Sequence, residues 1–147
     1  MTEGSRTILA LDTTSVEIAR RLINQTYRHV GMFKIGPALL LSGGTGFLEE
    51  LTRGPVPIFL DLKLNDTPEA TAAAASLALS LGIKMLTVHL GEDRGESLMA
   101  ALEVTQDHGL TILAVTTLTH VRDECLLTDP DETTEIMARR VVRAISL

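Results

Sequence analysis

Five charged side chains stand where charge is expensive: Asp12, Lys34, Asp61, Lys63 and Asp66. The first four lie at or near the C-terminal ends of the apolar runs Thr7–Asp12, Met32–Gly36 and Pro57–Lys63, and Asp66 follows just before Thr67-Pro68. Charges inside apolar strands are costly unless paired, and here two lysines and two or three aspartates are available to pair. A lysine held between carboxylates keeps its proton and can donate it. A carboxylate fixed beside a substrate anion repels that anion and favours its loss. Asp61 and Lys63 are two residues apart, so strand alternation puts them on one face with Phe59, opposite Ile58, Leu60, Leu62 and Leu64. The plainer alternative is a structural salt-bridge network at a strand end.

The elements that must position these groups alternate along the chain. Thr7–Asp12 reads as a buried strand, followed by a Thr-Thr-Ser cap and a helix over Ser15–His29, where Val16, Ile18, Ala19, Leu22 and Ile23 recur at helical spacing. Met32–Gly36 is a second strand, and Ala38–Leu51 a helix interrupted at Gly43-Gly44-Thr45-Gly46. Pro57–Lys63 is a third strand. Thr67-Pro68-Glu69 opens a helix with proline in a favoured first-turn position, and Gly82 stops it. Met85–Leu90, Glu96–His108 and Leu110–Thr119 continue as strand, helix, strand, with a last helix near Thr133–Ser146. The strands are continuously apolar, as strands covered on both faces are. An open doubly wound sheet and a parallel barrel both fit this α/β pattern, and both carry their chemistry at the C-terminal strand edge. No linker divides residues 1–147, so a single domain is expected.

Composition excludes several classes of function. With 45% apolar and 22% charged residues the chain is not of the disordered type. The longest uncharged runs, Ile35–Leu48 and Ala70–Ile83, are about 14 residues each and fall short of the ~18–20 needed to span a membrane. No basic flank followed by an apolar core marks a signal peptide. A net charge of −6, four aromatic residues and no tryptophan argue against nucleic acid as the partner. Cys125 stands alone, which excludes an internal disulfide and a cysteine metal cage, and a reducing cytoplasm is the natural compartment.

The segments Leu9-Ala10-Leu11-Asp12, Phe33-Lys34-Ile35-Gly36-Pro37, Phe59-Leu60-Asp61-Leu62-Lys63-Leu64-Asn65-Asp66, Thr87-Val88-His89 and Ala114–Thr119 resemble those of orotidine 5′-phosphate decarboxylases, in that family's order and spacing. The Asp-x-Lys-x-x-Asp element after a Phe-Lys-Ile-Gly strand is the specific part. The resemblance implies a parallel (β/α)8 TIM-type barrel, of which about five βα units are present here. It implies decarboxylation of orotidine 5′-monophosphate to UMP in pyrimidine biosynthesis, without cofactor or metal, by a homodimer with shared active sites. By position, Lys63 would protonate the pyrimidine C6, Asp61 would face the substrate carboxylate, and Lys34 would bridge Asp61 and the ribose. Asp66 would complete the network from the partner subunit, and Asp12 would bind ribose hydroxyls.

The sequence also departs from that pattern. The family's threonine that reaches the neighbouring subunit's substrate falls on Ala70, with Thr71 one step later as the candidate contact. The family's Leu-Thr-Ser after the fifth strand is Leu118-Thr119-His120, which makes Thr119 and His120 the candidates for reading the pyrimidine. The family's later phosphate-gripping elements are missing, so the chain reads as a partial form of the enzyme. Two other readings are a magnesium-dependent sugar-phosphate decarboxylase of the same barrel type and a non-catalytic half-barrel that needs a partner chain. Lys34 stands where the magnesium enzymes carry an acid, which weighs against the former.

Overall fold

The apolar runs form strands because β-branched and aromatic side chains can be buried on both faces of a sheet. In the computed structural model, which describes residues 6–90 and 95–116, they do so as β1 (Ile8–Ala10), β2 (Met32–Ile35), β3 (Ile58–Leu64), β4 (Met85–His89) and β5 (Thr111–Val115). Helices α1 (Val16–Thr26), α2 (Pro37–Thr52), α3 (Pro68–Ser80) and α4 (Glu96–Thr105) alternate with them. The last helix expected near Thr133–Ser146, the end of the fifth strand at Thr119, and Cys125 lie outside the described residues.

All the strands are parallel and pair in sequence order, β1-β2-β3-β4-β5. This order settles the architecture that residue patterns left open. A doubly wound sheet reverses strand order at a switch point. A sequential order with right-handed crossovers keeps every helix on one face and is the arc of a barrel. The helix-covered face is the core: Phe33 and Ile35 of β2, Ile58 and Leu60 of β3, and Leu86 and Val88 of β4 are all buried there. The opposite face is more open, and the flanking strands expose Ile8 (45%) and Leu113 (38%).

Local chemistry explains the element ends. Ser15 caps α1 by accepting a hydrogen bond from the Ile18 amide at 3.3 Å, and Thr67 caps α3 through the Ala70 amide at 3.3 Å, with Pro68 in the first turn. Helix α3 ends where expected: Gly82 takes a φ of 81°, its amide bonds Leu79, and the Ile83 amide bonds Ala78, a Schellman pair of bonds. The interruption expected in the second helix is a kink at Gly44, whose φ of 65° and ψ of −176° leave the helical region. Strand β1 is shorter than the apolar run because the chain turns at once: the Leu11 amide still bonds the Lys34 carbonyl, but the Thr13 amide folds back onto Leu11. Across α1 and α2, the Arg20 guanidinium grips both oxygens of Glu50 and lies 5.4 Å from the Phe47 ring.

Candidate active site

The site grows from β2 and β3. Lys34 is the third residue of β2, and its backbone is in register with Phe59 of β3, so Asp61 stands two residues nearer the C-terminal edge on the neighbouring strand. Lys34 Nζ lies 3.2 Å from Asp61 Oδ2, and Lys63 Nζ lies 2.8 Å from Asp61 Oδ1. The Thr87 hydroxyl on β4 donates to Asp61 Oδ1 at 3.0 Å. One carboxylate thus receives two ammonium groups and a hydroxyl. Asp61 is largely covered, its side chain 12% exposed, whereas Lys34 is 27% and Lys63 42% exposed. Lysine carries three donors, so Lys63 presents its outer side to the open strand edge while one N–H is fixed on Asp61.

The electrostatics follow from this geometry. Burial pushes the Asp61 carboxyl up, but hydrogen bonds from Lys63, Thr87 and Lys34, together with the Lys63 charge, outweigh it and hold the group below its usual value. A carboxyl depressed on folding contributes stability that is present above its unfolded value, near pH ~4, and that is lost as pH falls through the folded value. Asp61→Asn lacks this component. The stability difference between the wild type and Asp61→Asn is therefore expected to shrink as pH falls below about 4, read from urea midpoints between neutral and acid pH. A constant difference across that range would contradict the depressed carboxyl.

Strand alternation alone does not produce this arrangement. Leu60 is in register with Leu86 but Leu64 with Val88, so β3 slips against β4 between them. Lys63 absorbs part of the slip with a φ of 50°. The expectation that Asp61 and Lys63 share a face through regular alternation is corrected here: the two side chains meet across an irregular stretch. Left-handed backbone costs a residue with a Cβ roughly 1–2 kcal/mol relative to glycine. Lys63→Gly is thus expected to unfold at higher denaturant than Lys63→Ala, by about 1 kcal/mol, the reverse of the usual glycine–alanine order. Alanine equal to or above glycine would contradict the strained backbone.

The remaining candidates sit around this group. Asp66 is exposed on the turn between β3 and α3, where its Oδ1 accepts from the Thr67 amide at 2.7 Å. No ion pair joins Asp66 to Lys34 or Lys63 among the described residues. Thr71, expected as a substrate contact, is 1% exposed and turns its hydroxyl to the Asp66 carbonyl at 3.4 Å. Ser97 of α4 donates to the same carbonyl at 2.7 Å. These two buried hydroxyls fix the turn that carries Asp66. Asp12 is exposed just beyond β1, where it lines a cleft of about 550 Å³ with Thr13, Thr14, Gly36 and Pro37. The cleft opens at the C-terminal ends of β1 and β2. Thr119 and His120 lie outside the described residues.

Sequence reasoning missed Thr87 and Ser97 as contributors. Thr87 carried a signal: it is a polar residue near the C-terminal end of an apolar strand, the same criterion that singled out Lys34 and Asp61. Ser97 carried none, since its role depends on how α4 packs against the turn after β3. As to metals, Asp61 is already bonded by two ammonium groups, and no set of three His, Cys, Asp or Glu side chains converges among the described residues.

Sequential parallel strands with helices on one face, and a lysine–aspartate–lysine group at the C-terminal strand edge, define a β/α-barrel-type protein with its polar centre in the usual place for that class. A family model for the orotidine 5′-phosphate decarboxylase / HUMPS family matches residues 5–144. The chain belongs to this family. The orotidine 5′-phosphate decarboxylase of Rhodopseudomonas palustris strain BisB5 is 40% identical over 124 residues, covering 84% of this chain and 52% of the relative. The enzyme of the same name from Bradyrhizobium sp. strain ORS 278 is 37% identical over 141 residues, covering 95% of this chain and 57% of the relative. A crystal structure of an uncharacterized conserved protein from Geobacillus kaustophilus superposes with a TM-score of 0.76 at 25% identity, covering 93% of this chain and 67% of that one. The chain spans about half the length of the curated relatives it matches.

Proposed function

We propose that this chain carries the proton-donating half of a site that decarboxylates orotidine 5′-monophosphate to UMP, a step of pyrimidine nucleotide synthesis. The observation that carries the reading is the Asp61 carboxylate bonded at once by Lys34 and Lys63, with Lys63 the more exposed of the two lysines. Membership of the family and relatives of that name support it.

The chemistry needs only side chains. The substrate carboxylate docks at the open strand edge beside Asp61, drawn in by two ammonium groups around one fixed carboxylate. Asp61 repels it. The bond between C6 and the carboxyl carbon breaks, CO₂ leaves, and the electron pair remains on C6. Lys63 Nζ delivers its proton to that carbon and later regains one from water. Charges already in place need no reorganisation as the carbanion forms, and this preorganisation is usually the largest catalytic contribution. Lys34 holds Asp61 and reaches toward the ribose, and Asp12 in its cleft takes ribose hydroxyls. Asp66, exposed and free of Lys34 and Lys63 in its own subunit, serves the neighbouring subunit's site in a homodimer. Thr119 and His120 remain substrate contacts in this reading, and Thr71 supports the site through the turn that holds Asp66.

The magnesium-dependent alternative fits the centre less well. A cation at Asp61 would have to displace two ammonium groups at 2.8 and 3.2 Å. The test of the proposal is loss of substrate absorbance on decarboxylation, compared between the wild type and Lys63→Ala.

A further inference from the structure

The hydroxyl of Thr87 occupies an unusual position in the centre. It accepts the Lys63 amide N–H at 2.8 Å and donates its own proton to Asp61 Oδ1 at 3.0 Å. Asp61 Oδ1 also receives Lys63 Nζ at 2.8 Å. The bonds close a ring: Lys63 backbone to Thr87, Thr87 to Asp61, and Asp61 back to the Lys63 side chain. This ring forms where β3 slips against β4, between Leu60 and Leu64, and where Lys63 takes its φ of 50°. Thr87 itself stays in regular register with Leu113 of β5 and is 6% exposed, so the hydroxyl is anchored on an ordered strand.

The chemistry of the position is restrictive. A single oxygen must accept from an amide and donate to a carboxylate at the same time. A hydroxyl does both; a methyl group does neither. The Lys63 backbone is held in a conformation that costs energy, and such conformations persist where surrounding contacts over-determine them. The Thr87 hydroxyl is such a contact, and it also fixes the carboxylate against which the Lys63 ammonium rests.

We propose that Thr87 is the positioning residue of the centre, its hydroxyl locking the irregular Lys63 backbone and the Asp61 carboxylate into one arrangement. As a contribution to catalysis this rests on the decarboxylase reading; as a geometric lock it does not. Thr87 touches the Asp61 carboxylate and the Lys63 backbone amide, not the Lys63 ammonium, so its effect falls on the alignment of the proton donor.

The experiment uses the 147-residue chain and needs no turnover. Amide hydrogen exchange at Lys63 and the carboxyl titration of Asp61 are followed by NMR in the wild type, Thr87→Val and Thr87→Ser. Valine keeps the shape and removes the hydroxyl; serine keeps the hydroxyl. In Thr87→Val the Lys63 amide is expected to exchange about tenfold faster, the worth of one hydrogen bond, and the Asp61 midpoint to move up with Lys34 and Lys63 still facing it. Thr87→Ser is expected to restore both. Wild-type exchange and an unmoved midpoint in Thr87→Val overturn the proposal. So does a serine variant that behaves as valine does, or that loses both signatures should valine fail to fold. If the shifts appear as expected while orotidine 5′-monophosphate is not turned over even by the chain joined to the remaining part of a full-length relative, the lock stands and the decarboxylase reading falls.

Discussion

Lys63→Ala is expected to abolish decarboxylation of orotidine 5′-monophosphate, by roughly a thousandfold or more, while leaving the fold intact. A positioned general acid contributes about 10²–10⁴-fold, and Lys63 also supplies fixed positive charge where the carbanion forms, which adds to that figure. The side chain is 42% exposed and its removal leaves no large cavity, so a structural penalty does not explain a loss of this size. Asp61 keeps Lys34 and Thr87 as partners in the variant. Steady-state rates with far-UV circular dichroism on the same samples decide the matter. A folded Lys63→Ala protein that turns over substrate within tenfold of the wild type would remove Lys63 from the role of proton donor.

The second large effect belongs to Asp61, and its signature is a split between binding and turnover. Two carboxylates ~4 Å apart repel by about 4 kcal/mol at an effective dielectric of 20. The flanking lysines offset most of this, and a residual of about 1.4 kcal/mol is a factor of ten in affinity. Asp61→Asn is therefore expected to bind orotidine 5′-monophosphate about tenfold tighter and to turn it over roughly a hundredfold more slowly. UMP lacks the carboxylate and serves as the control: its affinity is expected to stay near the wild-type value. Titration calorimetry with both nucleotides, set beside kcat, separates the outcomes. Weaker binding of both nucleotides would mean that Asp61 only organises the lysines and exerts no repulsion on the substrate.

Much of this centre was legible in the sequence because charge in an apolar strand is a strong signal. Lys34, Asp61 and Lys63 stood out on that ground alone, and the structure joins them through Asp61. The helix caps at Ser15 and Thr67 and the stop at Gly82 were legible for a similar reason, since each answers a local backbone need. Strand order was legible only through the family resemblance, which implied the barrel arc that the structure shows. Residue patterns fitted a doubly wound sheet as well as a barrel, and only the pairing of each strand with its sequence neighbours decides between them. The slip between β3 and β4 was hidden: Pro57–Lys63 reads as a regular strand, and the irregularity depends on the pairing with Met85–His89. Thr71 shows a third limit. The family resemblance offered it, one step after the family's threonine, as a substrate contact, but the turn of α3 buries it beneath Asp66.

The lysine–aspartate–lysine centre is tested most directly by one measurement: decarboxylation of orotidine 5′-monophosphate by the 147-residue chain. It is assayed alone and joined to the part of the Rhodopseudomonas palustris relative that lies beyond the span it matches. Each form is paired with its Lys63→Ala counterpart. The lysine–aspartate–lysine centre predicts turnover in the joined protein and its disappearance in the Lys63→Ala form. A folded joined protein that binds UMP yet releases no CO₂, or one whose rate is untouched by Lys63→Ala, would contradict the central claim.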